Sequence, residues 1–361
     1  MKITLFFKTL FFCFAISHVA NAQDYVYSNP SKLLVKKYYK GYQKYVFPKN
    51  AYYLDKSLPT NPNKKGIVDY TDKLQNAINK YSVVVMPNFP VLINNKGLFI
   101  PSNRIVYFNQ NSIIQFKGPA TGRLNDIVKV YNASNVKIYN ANIIGSRNEK
   151  SEQKGEWSAG ICVLNSSNVE INNFQIKNTW GDGIFVGSEN GKVSSDVVVK
   201  NGFIDRARRD GISITSANNL LIDSVFIANT FGTLPMSGIQ IEPSLYNETI
   251  NNVNLNNIYT YNNPGGIAVN LQSFSIKNNP QKKVNIKVLN YTDEGSNYSF
   301  GTSINDDESI QNPIGTITVT NAVLKNPKKD FYWKNSKKYD VKVIFDKVKK
   351  YKNNELVNTK D

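Results

Sequence analysis

Five Gly-Ile pairs recur along the middle of the chain, at Gly160-Ile161, Gly183-Ile184, Gly211-Ile212, Gly238-Ile239 and Gly266-Ile267, separated by 23, 28, 27 and 28 residues. A second apolar residue follows each pair two places later (Val163, Val186, Ile214, Ile241, Val269), which is the alternation of a short strand with one buried face. A single repeat of this kind cannot cover its own apolar face, so successive repeats must stack strand upon strand. The expected fold is all-β: a parallel β-helix wound from one chain.

Stacking also sets residues in register. Equal offsets from each Gly-Ile fall about 4.8 Å apart up one face of such a coil. The residue before each Gly gives the column Ala159, Asp182, Asp210, Ser237, Gly265, and three before gives Trp157, Trp180, Arg208, Pro235, Asn263. Two carboxylates therefore stand on neighbouring rungs, beside an aromatic pair and an arginine.

Around this core the chain divides into four segments. Residues 1–22 read as a secretory signal, with Lys2 and Lys8, the apolar stretch Thr9 to Ile16, and Ala20-Asn21-Ala22 as a small-residue cleavage site, so an exported protein, periplasmic or secreted, is expected. Residues 23–65 form an irregular basic arm rich in Tyr and Lys, with Lys36-Lys37-Tyr38-Tyr39-Lys40 as a possible polyanion-binding surface. Residues 66–325 hold the β-helix, opened by a short helix around Asp69–Asn79. Thr71 or Asp72 caps that helix, and Leu74, Ala77 and Ile78 face inward to cover the lower end of the coil. Residues 326–361 are a basic, polar C-terminal segment, expected to be partly mobile.

The full chain carries a formal charge of +17; removing the signal takes away Lys2 and Lys8 and leaves 42 basic against 27 acidic residues, or +15. Such a surplus suits a polyanion, and an exported chain without a recognition motif points to acidic polysaccharide rather than nucleic acid. Abundant Lys and Asn as plain composition bias explains the same numbers. The only histidine, His18, lies in the signal, which removes Ser-His-Asp and Cys-His catalysis and histidine-bound metals from the mature chain. Cys162 is then the only mature cysteine, so no internal disulfide forms, and a packed thiol is expected there. After the signal no stretch is apolar for long enough to cross a membrane.

The helix followed by a strand ending Met86-Pro87, the segment Ile100-Pro101-Ser102-Asn103 and the rungs to about Asn270 resemble the pectate-lyase-like superfamily of secreted right-handed β-helices that act on polysaccharides. Gly155-Glu156-Trp157, Trp180-Gly181-Asp182-Gly183-Ile184, Arg209-Asp210-Gly211-Ile212 and Gly238-Ile239-Gln240-Ile241-Glu242-Pro243 narrow the likeness to bacterial β-helix proteins of poorly defined activity. Set against the polygalacturonases, Gly181-Asp182-Gly183 keeps one carboxylate of a Gly-Asp-Asp-Cys rung. Arg209-Asp210-Gly211 puts Asp where they have His, and Gln240-Ile241-Glu242 lacks their Arg-x-Lys clamp.

The candidate catalytic residues are Asp182 and Asp210, since adjacent carboxylates let one hold a proton as general acid while the other stays ionised. An Asp before Gly also caps turns, which is the structural alternative. Trp157 and Trp180 are candidate sugar platforms, or packed corner residues. Arg208 and Arg209 are candidates for an anionic sugar group, or for pairing with the two acids. Glu242, roughly 15 Å along the face by strand rise, and Glu156 are reserve substrate-binding acids. Three functions compete. The first is hydrolysis of an acidic polysaccharide without a cofactor. The second is lyase or uronate epimerase chemistry with an Arg or Lys base, with or without calcium between the aspartates. The third is retention of polysaccharide without cleavage.

Overall fold

The computed structural model describes residues 25–118, 122, 125–147, 155–275, 279–304, 311–334 and 341–357, with backbone only for 332–334. The signal segment 1–22 lies outside them. The chain winds as a right-handed parallel solenoid. Its front is a nine-stranded sheet with one strand per turn, running Leu98–Phe99, Val128–Tyr131, Ile161–Leu164, Ile184–Gly187, Ile212–Ile214, Ser237–Ile241, Gly265–Asn270, Tyr298–Ser303 and Lys329–Lys334. The repeat is recovered in register: Ile161, Ile184, Ile212, Ile239 and Ile267 pair rung to rung. All five are fully buried.

The other two sides are a seventeen-stranded sheet whose long strands, Ser167–Lys177, Ser194–Asp205, Ala217–Ala228, Ile250–Tyr261 and Lys283–Glu294, each bend once. The bend is a column of residues in the left-handed region: Asn140, Asn173, Asn201, Ser224, Asn257, Asn290 and Asn321, with φ between 50° and 59°. Asn tolerates that conformation because its short amide bonds locally. Here the amides also bond up the column, as from Asn257 Nδ2 to Ser224 Oγ at 3.0 Å. A second such column, Asn103, Asn135, Asn168, Asp196, Asn219 and Asn252, turns the chain into these strands. Part of the asparagine abundance is thus corner chemistry.

The helix Thr71–Lys80 buries Leu74, Ala77 and Ile78 as expected. Its cap differs: the Asp69 carboxylate accepts the Thr71 N–H at 2.8 Å and the Thr71 hydroxyl at 2.6 Å, so the capping side chain precedes both residues expected to do it. The arm 25–50 lies on the flank of the coil, with Tyr38 packed edge-on against Phe226 and Tyr259 at 5.7 and 5.9 Å. Beyond Lys325 winding continues. Val341–Asp346 pairs onto Ile314–Thr320, and Lys349–Lys352 pairs onto Val323–Lys325. Phe331 and Phe345, 4.3 Å apart, supply the apolar face that the lysine-rich composition hid. Among the described residues no helix is long and apolar enough to cross a membrane.

Candidate functional site

Asp182 and Asp210 sit where the chain turns into the front strands, immediately before Gly183 and Gly211. The glycines are required by packing, since a Cβ on Gly183 would lie 2.6 Å from the Gly211 carbonyl oxygen, and one on Gly211 2.5 Å from that of Gly238. Both aspartates face the same side, and one guanidinium joins them. Arg209 Nη1 is 3.2 Å from Asp182 Oδ2 and 3.2 Å from Asp210 Oδ2, while its Nε is 3.3 Å from Glu156 Oε2. Because one nitrogen touches both, the two Oδ2 atoms are at most 6.4 Å apart, twice 3.2 Å. Retaining glycosidases hold their two carboxyl groups roughly 5–5.5 Å apart and inverting ones roughly 6.5–9.5 Å, so the bound on this one oxygen pair leaves both geometries open.

The remaining lone pairs are filled from the backbone of the next rung. Asp182 Oδ1 accepts the Asp210 N–H at 3.0 Å and Asp210 Oδ1 accepts the Ser237 N–H at 2.7 Å, while Ser213 Oγ donates to Asp210 Oδ2 at 3.1 Å. The turn-capping role and the juxtaposition of acids are therefore both realised. Asp182 is 4% exposed and Asp210 fully buried. Burial pushes the Asp210 carboxyl up to about 8; the neighbouring charges of Asp182 and Glu242 add to this, and Arg209 opposes it. Burial likewise raises Asp182, against the pull of Arg209. Burial acts to lower Arg209, but Asp182, Asp210, Glu156 and Glu242 outweigh it, so the guanidinium stays charged and the pair holds one proton near neutral pH.

The other candidates separate. Trp157 is 39% exposed, but Trp180 is 7% exposed, packed against the apolar interior with the Arg208 guanidinium 4.2 Å above its ring. The expected two-indole platform is not formed, because the corner loop places the Trp180 ring against the apolar interior and leaves the Trp157 ring open to solvent. Arg208 also donates to the carbonyl oxygens of Gly155 and Trp180. Arg209 is committed to the acids, whereas Arg208 spends its Nη1 on those two carbonyls. Glu242 accepts from Gln240 Nε2 at 3.1 Å and Asn270 Nδ2 at 2.8 Å, and its charge acts on Arg209 and Asp210 through space. Cys162 is a buried free thiol, and burial pushes its pKa up. Calcium does not fit between the aspartates, since a guanidinium fills that space and backbone amides take the outer oxygens.

Sequence reasoning missed Asp126. Val128 pairs with Ile161, which puts Asp126 level with Ala159 at the foot of the same column. It accepts the Ala159 N–H at 2.6 Å and the Tyr131 hydroxyl. The repeat Asp-x-apolar was present, but Ile127 stands where later rungs have Gly.

A family model described as the right handed beta helix region matches residues 91–238. The fold of the chain is a parallel β-helix, in agreement with that description. Among curated proteins this β-helix is similar to the uncharacterized protein YclG of Bacillus subtilis (strain 168), 25% identical over 283 residues, covering 73% of this chain and 42% of that one. It therefore spans well under half of that relative's length. Among solved structures it is similar to endo-xylogalacturonan hydrolase from Aspergillus tubingensis, with TM-score 0.59, 16% identity, and coverage of 81% of this chain and 92% of that one. It is also similar to PfbA, a surface adhesin of Streptococcus pneumoniae, with TM-score 0.54, 14% identity, and coverage of 81% and 82%. At these identities the likeness is one of fold.

Proposed function

We propose that the protein is an exported carbohydrate-active enzyme that hydrolyses an acidic polysaccharide on its front face, with Asp210 as proton donor and Asp182 as its ionised partner. The observation that carries this reading is a single guanidinium bridging two buried carboxylates. Two acids and one arginine in a dry corner retain one proton at neutral pH, which is the division of roles that glycoside hydrolysis uses. The exposed indole of Trp157 and the half-buried Glu156 line the approach. Arg209 covers the pair, so a sugar oxygen reaches Asp210 only when that side chain swings outward. The fold's occurrence in a xylogalacturonan hydrolase supports a polysaccharide as the ligand. Export rests on the signal read at Met1 to Ala22.

A second reading, retention of polymer without cleavage, draws on the complete burial of Asp210 and on the same fold in an adhesin. Incubation of the purified protein with a panel of acidic and neutral glycans separates the two. New reducing ends without ultraviolet-absorbing unsaturated uronate support hydrolysis; unsaturated products replace it with elimination; bound but intact polymer replaces it with retention.

A further inference from the structure

The net charge of +15 expected for the mature chain calls for an anion, yet the arginines beside the acid pair are already engaged by protein groups. A free cation on the same face lies elsewhere. The outward positions of the front sheet form a column Phe99, Lys129, Cys162, Phe185, Ser213. Ser213 bonds both Arg209 and Asp210, so the acid pair stands at one end of this column. Lys129 is three rungs away, roughly 14 Å at about 4.8 Å per rung.

Lys129 and Phe99 line a cavity of about 230 Å³, with Lys96, Gly97 and Thr71, Asp72, Gln75 and Asn79 of the capping helix. Phe99 is 36% exposed, a large ring left open on a strand whose other side is core. Its backbone is fixed from both sides by Gln75, which accepts the Phe99 N–H at 2.7 Å and donates to the Phe99 carbonyl at 2.8 Å. The Lys96 ammonium is satisfied by Asp72 at 3.0 Å. The Lys129 ammonium makes no hydrogen bond or ion pair among the described residues; its nearest carboxylate, Asp126, is committed to Tyr131 and Ala159. The cavity thus carries an ammonium with no hydrogen-bonded or ion-paired partner among the described residues, acted on by Asp126 only through space, beside an apolar ring.

We propose that this cavity is an anionic-sugar subsite, in which one ring of an acidic glycan stacks on Phe99 while its carboxylate or sulfate pairs with Lys129. Stacking uses the apolar face of the sugar, and the half-buried ammonium gains more from an anion than an exposed lysine would. The acidic group is thereby recognised several residues along the polymer from the bond acted on, where Asp182, Asp210, Glu156 and Glu242 repel it. This inference rests on the front face being the polysaccharide groove, but not on cleavage.

The test is binding, measured in an Asp210→Asn background that holds substrate intact. Titration calorimetry with oligogalacturonate, galactose-sulfate oligomers and a neutral galacto-oligomer is run on Lys129→Met, Lys129→Arg and Phe99→Ala. Expected are at least a fivefold loss for one or both acidic probes in Lys129→Met, with the neutral probe unchanged and binding restored in Lys129→Arg. The acidic probe that loses affinity identifies carboxylate or sulfate. Phe99→Ala weakens all probes. Unchanged acidic-probe affinity in Lys129→Met, or an equal loss for the neutral probe, overturns the subsite. Cleavage failing in the undiluted wild type removes the hydrolase reading and leaves this result standing.

Discussion

At the scale of single residues, Asp210 carries two separable consequences. Its folded pKa, about 8, lies above the roughly 4 of an unfolded aspartate, so the folded state binds the extra proton. The stabilisation is therefore complete below about pH 4 and is lost as pH rises towards 8. Thermal melts of wild type and Asp210→Asn between pH 4 and 8 should show the wild type losing stability more steeply; parallel curves would show that the carboxyl titrates normally. As proton donor the same group should make activity fall above about pH 8, read as the alkaline limb of a kcat/KM profile. Arg209 is the counterpart. Arg209→Met leaves two buried acids without the one positive charge that bridges them, and should cost about 3–5 kcal/mol in denaturant unfolding.

Neighbouring residues show what the sequence could and could not reveal. Gly-Ile pairs announce the front strands because glycine is demanded wherever successive turns press together, as at Gly183 and Gly211. The pairing of Asp182 with Asp210 followed from the same register. Exposure did not follow: Trp157 and Trp180 are equivalent in offset, yet one is open and the other packed inside, because burial depends on where the corner loop places each ring. Arg208 and Arg209 looked available for the same reason, since composition records a charge but not its partners.

At the scale of elements, the corners are the part most easily misread. Asn173, Asn201 and Asn257 recur in strands where asparagine is ordinarily disfavoured, and their spacing marks the bend of each long strand. Inside that bend, Phe174 and Gly202 are rung neighbours, and a Cβ on Gly202 would lie 2.0 Å from the Phe174 ring. Phe174, fully buried, fills the space the glycine leaves. Gly202→Ala should cost about 1–3 kcal/mol through overpacking, and Phe174→Ala about 3–5 kcal/mol through a cavity. The double variant Phe174→Leu with Gly202→Ala should lose less than the sum of Phe174→Leu alone and Gly202→Ala alone, by at least about 0.5 kcal/mol in equilibrium unfolding. Strict additivity would mean the two positions pack independently.

At the scale of the molecule, the solenoid is a one-dimensional stack in which each turn relies on its neighbours. The capping helix covers one end, and the arm 25–50 runs along the flank, joining distant rungs through contacts such as Gln43 N–H to Asn140 Oδ1 at 3.1 Å and Tyr38 between Phe226 and Tyr259. Tyr38→Ala should lower stability by about 3 kcal/mol and raise amide exchange first in the arm and the strands Ala217–Ala228 and Ile250–Tyr261. Exchange unchanged in those strands would mean that the arm is an appendage. The lysines were visible in sequence as charge alone. Folding sorts most of them to the outside of a stack whose front holds a small acidic centre.

That centre is tested most directly by comparing kcat/KM for reducing-end release by wild type and Asp210→Asn on whichever glycan the wild type cleaves, at pH 6. General-acid catalysis typically contributes 10²–10⁴-fold, so a loss of at least about a hundredfold is expected in a variant that melts no lower than wild type at that pH. Full activity in Asp210→Asn would contradict it and leave the bridged aspartates as turn caps.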